Sequence, residues 1–173
     1  MRSLLAAAML LLALPHAHAE VRAWNFRVLL DDREIGQHRF TLRADGETRE
    51  LRSEAQFDVR VLFFSAYRYE HEAVERWAGN CLRSLVARTQ TNGERQSVNA
   101  AARGQRFSVE RPNGRAEHEG CVMSFAYWNP RILEAQRLLN AQTGELLPVN
   151  ISPQGEEPLE DRKSTRLNSS HSS

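Results

Sequence analysis

Phe57-Asp58-Val59-Arg60-Val61-Leu62-Phe63-Phe64-Ser65-Ala66-Tyr67-Arg68-Tyr69-Glu70-His71-Glu72-Ala73-Val74-Glu75-Arg76-Trp77 is the stretch whose reading decides the fold. Its odd positions run Phe, Val, Val, Phe, Ser, Tyr, Tyr, His, Ala, Glu, Trp, while Asp58, Arg60, Arg68, Glu70, Glu72 and Arg76 occupy even ones. A period of two sends alternate side chains to opposite faces of a strand. One face is then aromatic and aliphatic and the other charged, as in a sheet covered on one side and wet on the other. The even face turns apolar at Leu62, Phe64 and Ala66, where we place a break, bulge or crossing between two strands.

The same rhythm extends both ways. Trp24–Leu30 reads as a first strand, Asp31–Glu34 as a turn, and Ile35–Arg43 as a second strand with Gly36, His38, Phe40 and Leu42 on one face. Asp45-Gly46 is a hairpin signal, and Thr48–Val61 a third strand with Leu51, Ser53, Ala55, Phe57, Val59 and Val61 inward. Tyr67–Trp77, Cys81–Thr91, Glu94–Ala102 and Arg106–Glu110 follow, punctuated by Ala78-Gly79-Asn80, Asn92-Gly93, Gly104 and Pro112-Asn113-Gly114. Turns every ten residues or so predict a mainly β protein: a curved antiparallel meander, open or a partial barrel, lipoprotein-carrier-like. One short helix is expected near 130–138. Asn129 suits the N-cap, Pro130 the first position, and Ile132, Leu133, Gln136 and Leu139 share a face, although the far half also reads as a strand entering a turn at 140–144. Glu145–Ile151 reads as the last strand.

Both ends read differently. Arg2, the apolar run Leu4–Leu14, Pro15 and Ala17-His18-Ala19 form an export leader cleaved between Ala19 and Glu20, with an uncleaved anchor as the alternative. The apolar run is too short to span a bilayer, so no transmembrane segment is expected after cleavage. The expected location is the periplasm. Residues 161–173 resemble the in-frame translation of a sequencing-library adapter and include Lys163, the only lysine. We therefore expect an artefactual tail after a single β domain of residues 20–160, with the native C-terminal strands missing.

About 140 residues suffice for one domain with a real core. Of 23 basic residues, setting aside Arg2, Arg162, Lys163 and Arg166 leaves 19; of 22 acidic residues, setting aside Asp161 leaves 21, a net charge of −2 for the domain. That balance argues against a nucleic-acid partner, which requires clustered basic excess. Cys81 and Cys121 are the two cysteines. In an oxidising compartment they are expected to pair, two buried free thiols being the alternative. Closing a loop of that length is worth roughly 4 kcal/mol on the chain-entropy account.

Glu70-His71-Glu72 is the most conspicuous polar cluster, yet on a strand the carboxylates face away from the histidine, as a solvated face requires. His38 and His71 read as core-edge histidines and His118 as a loop residue, so neither a metal site nor a cofactor is expected. No phosphate cradle or nucleophile elbow is present. Plain core is the simplest account of the aromatics. The sharper account is a concave aromatic floor for an apolar ligand, lined by Trp24, Tyr67, Tyr69, Trp77, Tyr127 and Trp128 with the helix as lid.

Three groups of residues together resemble a bacterial domain family of unknown function, number 6134: Phe57–Val61 leading into Tyr67-Arg68-Tyr69 and Glu75-Arg76-Trp77; the turn Thr91-Asn92-Gly93; and Phe125-Ala126-Tyr127-Trp128-Asn129-Pro130 followed by Leu139–Gly144. The resemblance spans roughly 23–151 and implies an exported all-β protein of Gram-negative bacteria, with no catalytic residues to carry over. The expected function is a non-enzymatic module binding a lipophilic small molecule, another envelope-derived ligand or an envelope protein. The alternatives are an envelope hydrolase using Glu70, His71 or Glu72, and a structural partner in envelope assembly.

Overall fold

The computed structural model describes residues 19–61, 64–153 and 155. The proposed leader and adapter-like tail, and Leu62-Phe63 at the expected break, lie outside the described residues. Eight strands form one antiparallel sheet in chain order: β1 (Glu20–Leu30), β2 (Arg33–Asp45), β3 (Thr48–Val61), β4 (Phe64–Ala78), β5 (Cys81–Thr91), β6 (Glu94–Arg103), β7 (Arg106–Arg111) and β8 (Gly114–Glu119). Among the described residues each pairs only with its chain neighbours, and β1 and β8 do not meet, so the sheet is an open meander. The stretch 57–77 is the hairpin of β3 and β4, with Val61 opposite Phe64 and a register shift at Val59/Arg60.

Turn chemistry sets the register. Asp31 and Asp32 both adopt positive φ between β1 and β2, and Asn92 and Gly93 do so between β5 and β6. That backbone twist matches the twist of the flanking strands, so a two-residue loop suffices. Asn92 also extends the ladder: its side-chain oxygen accepts from the Arg68 amide at 2.8 Å, and its own amide donates to the Arg68 carbonyl at 2.9 Å. Gly36 faces Phe57 across β2 and β3, where an added Cβ would lie 1.9 Å from the Gln56 carbonyl oxygen.

The two-residue rhythm assigns one face to the interior throughout. Register carries it from Leu42 to Leu51, from Ala55 to His71, from Ala73 to Ala87, from Ala87 to Val98 and from Ala100 to Val109. The segment after β8 folds back onto part of this face. Val122, Ala126 and Leu139 join Trp77, Leu82, Leu85, Val98, Phe107 and Val109 in one buried cluster. The Leu82 N–H to Val122 O bond and the Cys81–Cys121 disulfide tie the segment to β5, and the Leu139 N–H to Met123 O bond ties the segment to itself.

The expected helix near 130–138 is reduced to a 3₁₀ turn, Pro130–Glu134. The cap is as expected, the Asn129 side chain accepting from the Arg131 amide, but Ala135 leaves in extended backbone. The supposed stripe is not buried as a stripe: Leu133 and Gln136 are exposed, whereas the adjacent Leu138 and Leu139 are both buried. Burial of two consecutive residues suits a strand packed on both sides. Arg137–Leu139 is accordingly β9, pairing with β10 (Leu146–Pro148). His118 is a strand residue of β8, not a loop residue.

Candidate functional site

The inner face divides in two. Over β5–β8 it is covered by residues 121–151, as the buried cluster shows. Over β1–β3 and the first half of β4, its side chains are largely half-buried or exposed, although Leu42, Leu51, Ser53 and Ala55 are buried. Register assembles an aromatic surface there. Trp24 faces Phe40, Phe26 faces His38, Phe57 faces Tyr69, and Val59 faces Tyr67.

The rings pack on one another sideways. Phe57 stacks on Tyr69 at 5.3 Å with planes 11° apart, and Tyr69 stacks on Tyr67 at 6.3 Å and on His71 at 6.2 Å. His38 lies 4.0 Å from Phe40, which meets Phe26 edge-on at 5.9 Å. Rings in such contact gain attraction beyond their buried area and hold one another in place.

The polar groups in this surface are kept uncharged. Burial, with help from the nearby His71, lowers the His38 pKa to about 4, and burial lowers that of His71 against the opposing pull of Glu72. Burial, then Tyr67, raises the Tyr69 phenol to about 12. Each has a neutral partner: His38 Nε2 with Ser53 Oγ at 2.8 Å, and His71 Nδ1 with Thr89 Oγ1 at 2.8 Å. The Tyr69 hydroxyl donates to Gln142 Oε1 at 3.0 Å, where the covering segment borders the open half. At neutral pH His38, His71 and Tyr69 are thus uncharged among the rings.

The six residues singled out from the sequence separate on this map. Trp24, Tyr67 and Tyr69 lie on the open half. Trp77, 1 % exposed, and Trp128 meet edge-to-face at 5.4 Å on the covered half, with the Arg49 guanidinium 5.6 Å from the Trp128 ring centre. Tyr127 is 77 % exposed on the covering segment, beside Phe125. The 3₁₀ turn borders β8, at the opposite edge of the sheet from Trp24, and is no lid for the aromatic floor. Phe26, His38, Phe40, Phe57 and His71 belong to the floor and were not among the six. Their signal was the parity of position that marked Tyr67 and Tyr69.

Glu70 and Glu72 are exposed on the outer face, whereas His71 is buried on the inner one, so the three do not share a cleft. Among the described residues no three His, Cys, Asp or Glu side chains converge as a metal site. A groove of about 670 Å³ runs between β8 and residues 131–137, with mixed charge from Glu117, Glu119, Glu134, Arg131 and Arg137.

Glu75 is a buried carboxyl of the covered half. Its Oε2 accepts from the Trp77 indole at 3.1 Å and from the Ser124 hydroxyl at 2.9 Å, tying β4 to the covering segment. Burial outweighs these bonds and pushes its pKa up to about 7.

No curated protein and no solved structure matches this chain. A family match does, over residues 26–171, taking in the aromatic floor apart from Trp24, the covered core and the disulfide. On that match the chain belongs to the family described as Domain of unknown function (DUF6134).

Proposed function

We propose that this protein is a periplasmic binding module that holds a lipophilic molecule on the open aromatic half of its sheet. The observation that carries this reading is the contrast along one continuous face: dry under residues 121–151, yet only half-buried at Trp24, Phe26, Phe40, Phe57 and Tyr69 and exposed at Tyr67. Contiguous exposed apolar surface on a soluble domain marks a place where something apolar sits. The neutral state of His38, His71 and Tyr69 supports an uncharged ligand moiety, since none supplies a counter-ion. The leader-like start and the Cys81–Cys121 bond support an oxidising envelope compartment.

A dansyl-labelled fatty acid tests it. The exported protein should bind this probe saturably, and Trp24→Ser or Tyr67→Ser should weaken binding about fivefold each, the loss of part of an aromatic contact. Val86→Ser, an exposed position of β5 on the opposite face, should leave it unchanged. Absence of saturable binding, or equal loss from all three substitutions, overturns the proposal.

A further inference from the structure

The two edges of the sheet are built differently. β8 is six residues long, Gly-Arg-Ala-Glu-His-Glu, short and charged, as edges protected from strand addition are. β1 is 11 residues long and, among the described residues, pairs on one side only, with β2. Of the seven large hydrophobic side chains left exposed in the described part, three are on β1: Val21, Leu29 and Leu30. The charges of β1 are already engaged within the chain, Arg22 with Glu20 at 2.7 Å and Arg27 with Glu34 at 3.6 Å. A long apolar edge with neutralised charges is a template for another strand.

We propose that β1 pairs with β1 of a second copy of this chain, antiparallel, about a two-fold axis at Asn25. Asn25 is the midpoint of Glu20–Leu30, so this centre alone engages all 11 residues of both strands. The register it imposes is complementary on both faces. On the inner face Trp24 meets Phe26 of the other copy, twice by symmetry; on the outer face Val21 meets Leu29, also twice. Arg22 falls opposite Val28 and Arg27 opposite Ala23, so no like charges oppose each other. Aromatic and branched cross-strand pairs of this kind are the stabilising unit of a sheet, and an isologous two-fold contact closes without further growth. Moving the centre to Trp24 sets Val21 against Arg27 and leaves both Leu29 side chains bare. Two open aromatic halves would then lie side by side in one continuous sheet. The pairing stands on the edge strand and is independent of the ligand proposal.

Sedimentation of the full chain at micromolar concentrations tests it, with circular dichroism as the check of folding. The wild type should sediment with twice the chain mass. Val21→Lys with Leu29→Lys places lysines opposite one another across the axis and should raise the dissociation constant at least about tenfold. Val21→Lys with Leu29→Glu makes the same positions charged but opposite in sign, and should restore the dimer. Both exchange exposed side chains, so the fold should survive. A wild-type monomer overturns the proposal, as does a dimer that both double variants leave intact or both abolish, or β1 found covered by a different protein.

Discussion

The inner face over β5–β8 carries mostly small and aliphatic side chains, with Ala87, Val98, Ala100 and Val109 in cross-strand contact, whereas the same face over β1–β4 carries rings. The difference explains which half can be covered by irregular chain. Residues 121–151 are short of regular structure, so their backbone must come close enough to the sheet to exclude water while bonding to itself or to strand ends. Alanines permit that approach. Gly144 lies close over the sheet, where an added Cβ would sit 3.1 Å from Val109 and from the Arg111 Cβ. The rings over β1–β4 stand against one another and offer instead a surface that a second body can lie on.

The sharpest way to break this comparison is to empty the covered half. Trp77→Ala removes a fully buried indole, its edge contact with Trp128 and its hydrogen bond to Glu75. It should cost about 3–5 kcal/mol in denaturant unfolding, the range for large aromatics deleted from a core. A loss below about 1 kcal/mol would mean that residues 121–151 do not form a tight cover.

The next largest effect separates the halves by pH. In the fold Glu75 binds its proton more tightly than an ordinary carboxyl, so its contribution is fully present below about pH 4.5 and is lost as pH rises through about 7. A shift of that size corresponds to roughly 3 kcal/mol. His38, on the open half, has the opposite sign: it binds its proton less tightly in the fold, so its contribution is present above pH 6.5 and is lost as pH falls towards about 4. Glu75→Gln should therefore abolish the decline of stability between pH 4.5 and 7 and expose the rise that His38 contributes. An unchanged stability–pH curve in Glu75→Gln would show that water reaches that carboxyl and that the cover is loose.

Much of the fold was legible because strand position depends on local pattern. β3 falls at the bounds read from the alternation of Leu51, Ser53 and Ala55, and β5 at those set by the turns Ala78-Gly79-Asn80 and Asn92-Gly93. The hairpins followed from Asp-Gly and Asn-Gly. β8 was missed because Arg115, Glu117 and Glu119 offer no apolar alternation; an edge strand under a partial cover needs none. The helix expected near 130–138 rested on Ile132, Leu133, Gln136 and Leu139, but tertiary contacts of Leu138 and Leu139 outweighed that spacing. The site was half legible. Parity marked Trp24, Tyr67, Tyr69 and Trp77 as inward, but which of them is covered depends on where residues 121–151 land, through the Leu82–Val122 and Ser124–Glu75 bonds. That docking is long-range and leaves no period in the sequence.

The smallest expected effect is also the most discriminating. Tyr67 is 38 % exposed, faces Val59 across the ladder and touches Tyr69 at ring distance on one side. Deleting its ring in Tyr67→Ser removes one lateral contact and leaves no enclosed void, because the other side of the ring already meets solvent. The transfer and cavity costs that make Trp77→Ala expensive are then mostly absent, and the loss should stay below about 1 kcal/mol. The same unfolding measurement that reads Trp77→Ala reads this one, so the ratio of the two losses is free of differences in method. A cost near that of Trp77→Ala would show that Tyr67 is packed from above and that the floor is occupied in the folded chain. A small cost, joined to weakened binding of the fatty-acid probe, would assign the ring to recognition of a ligand and not to the core.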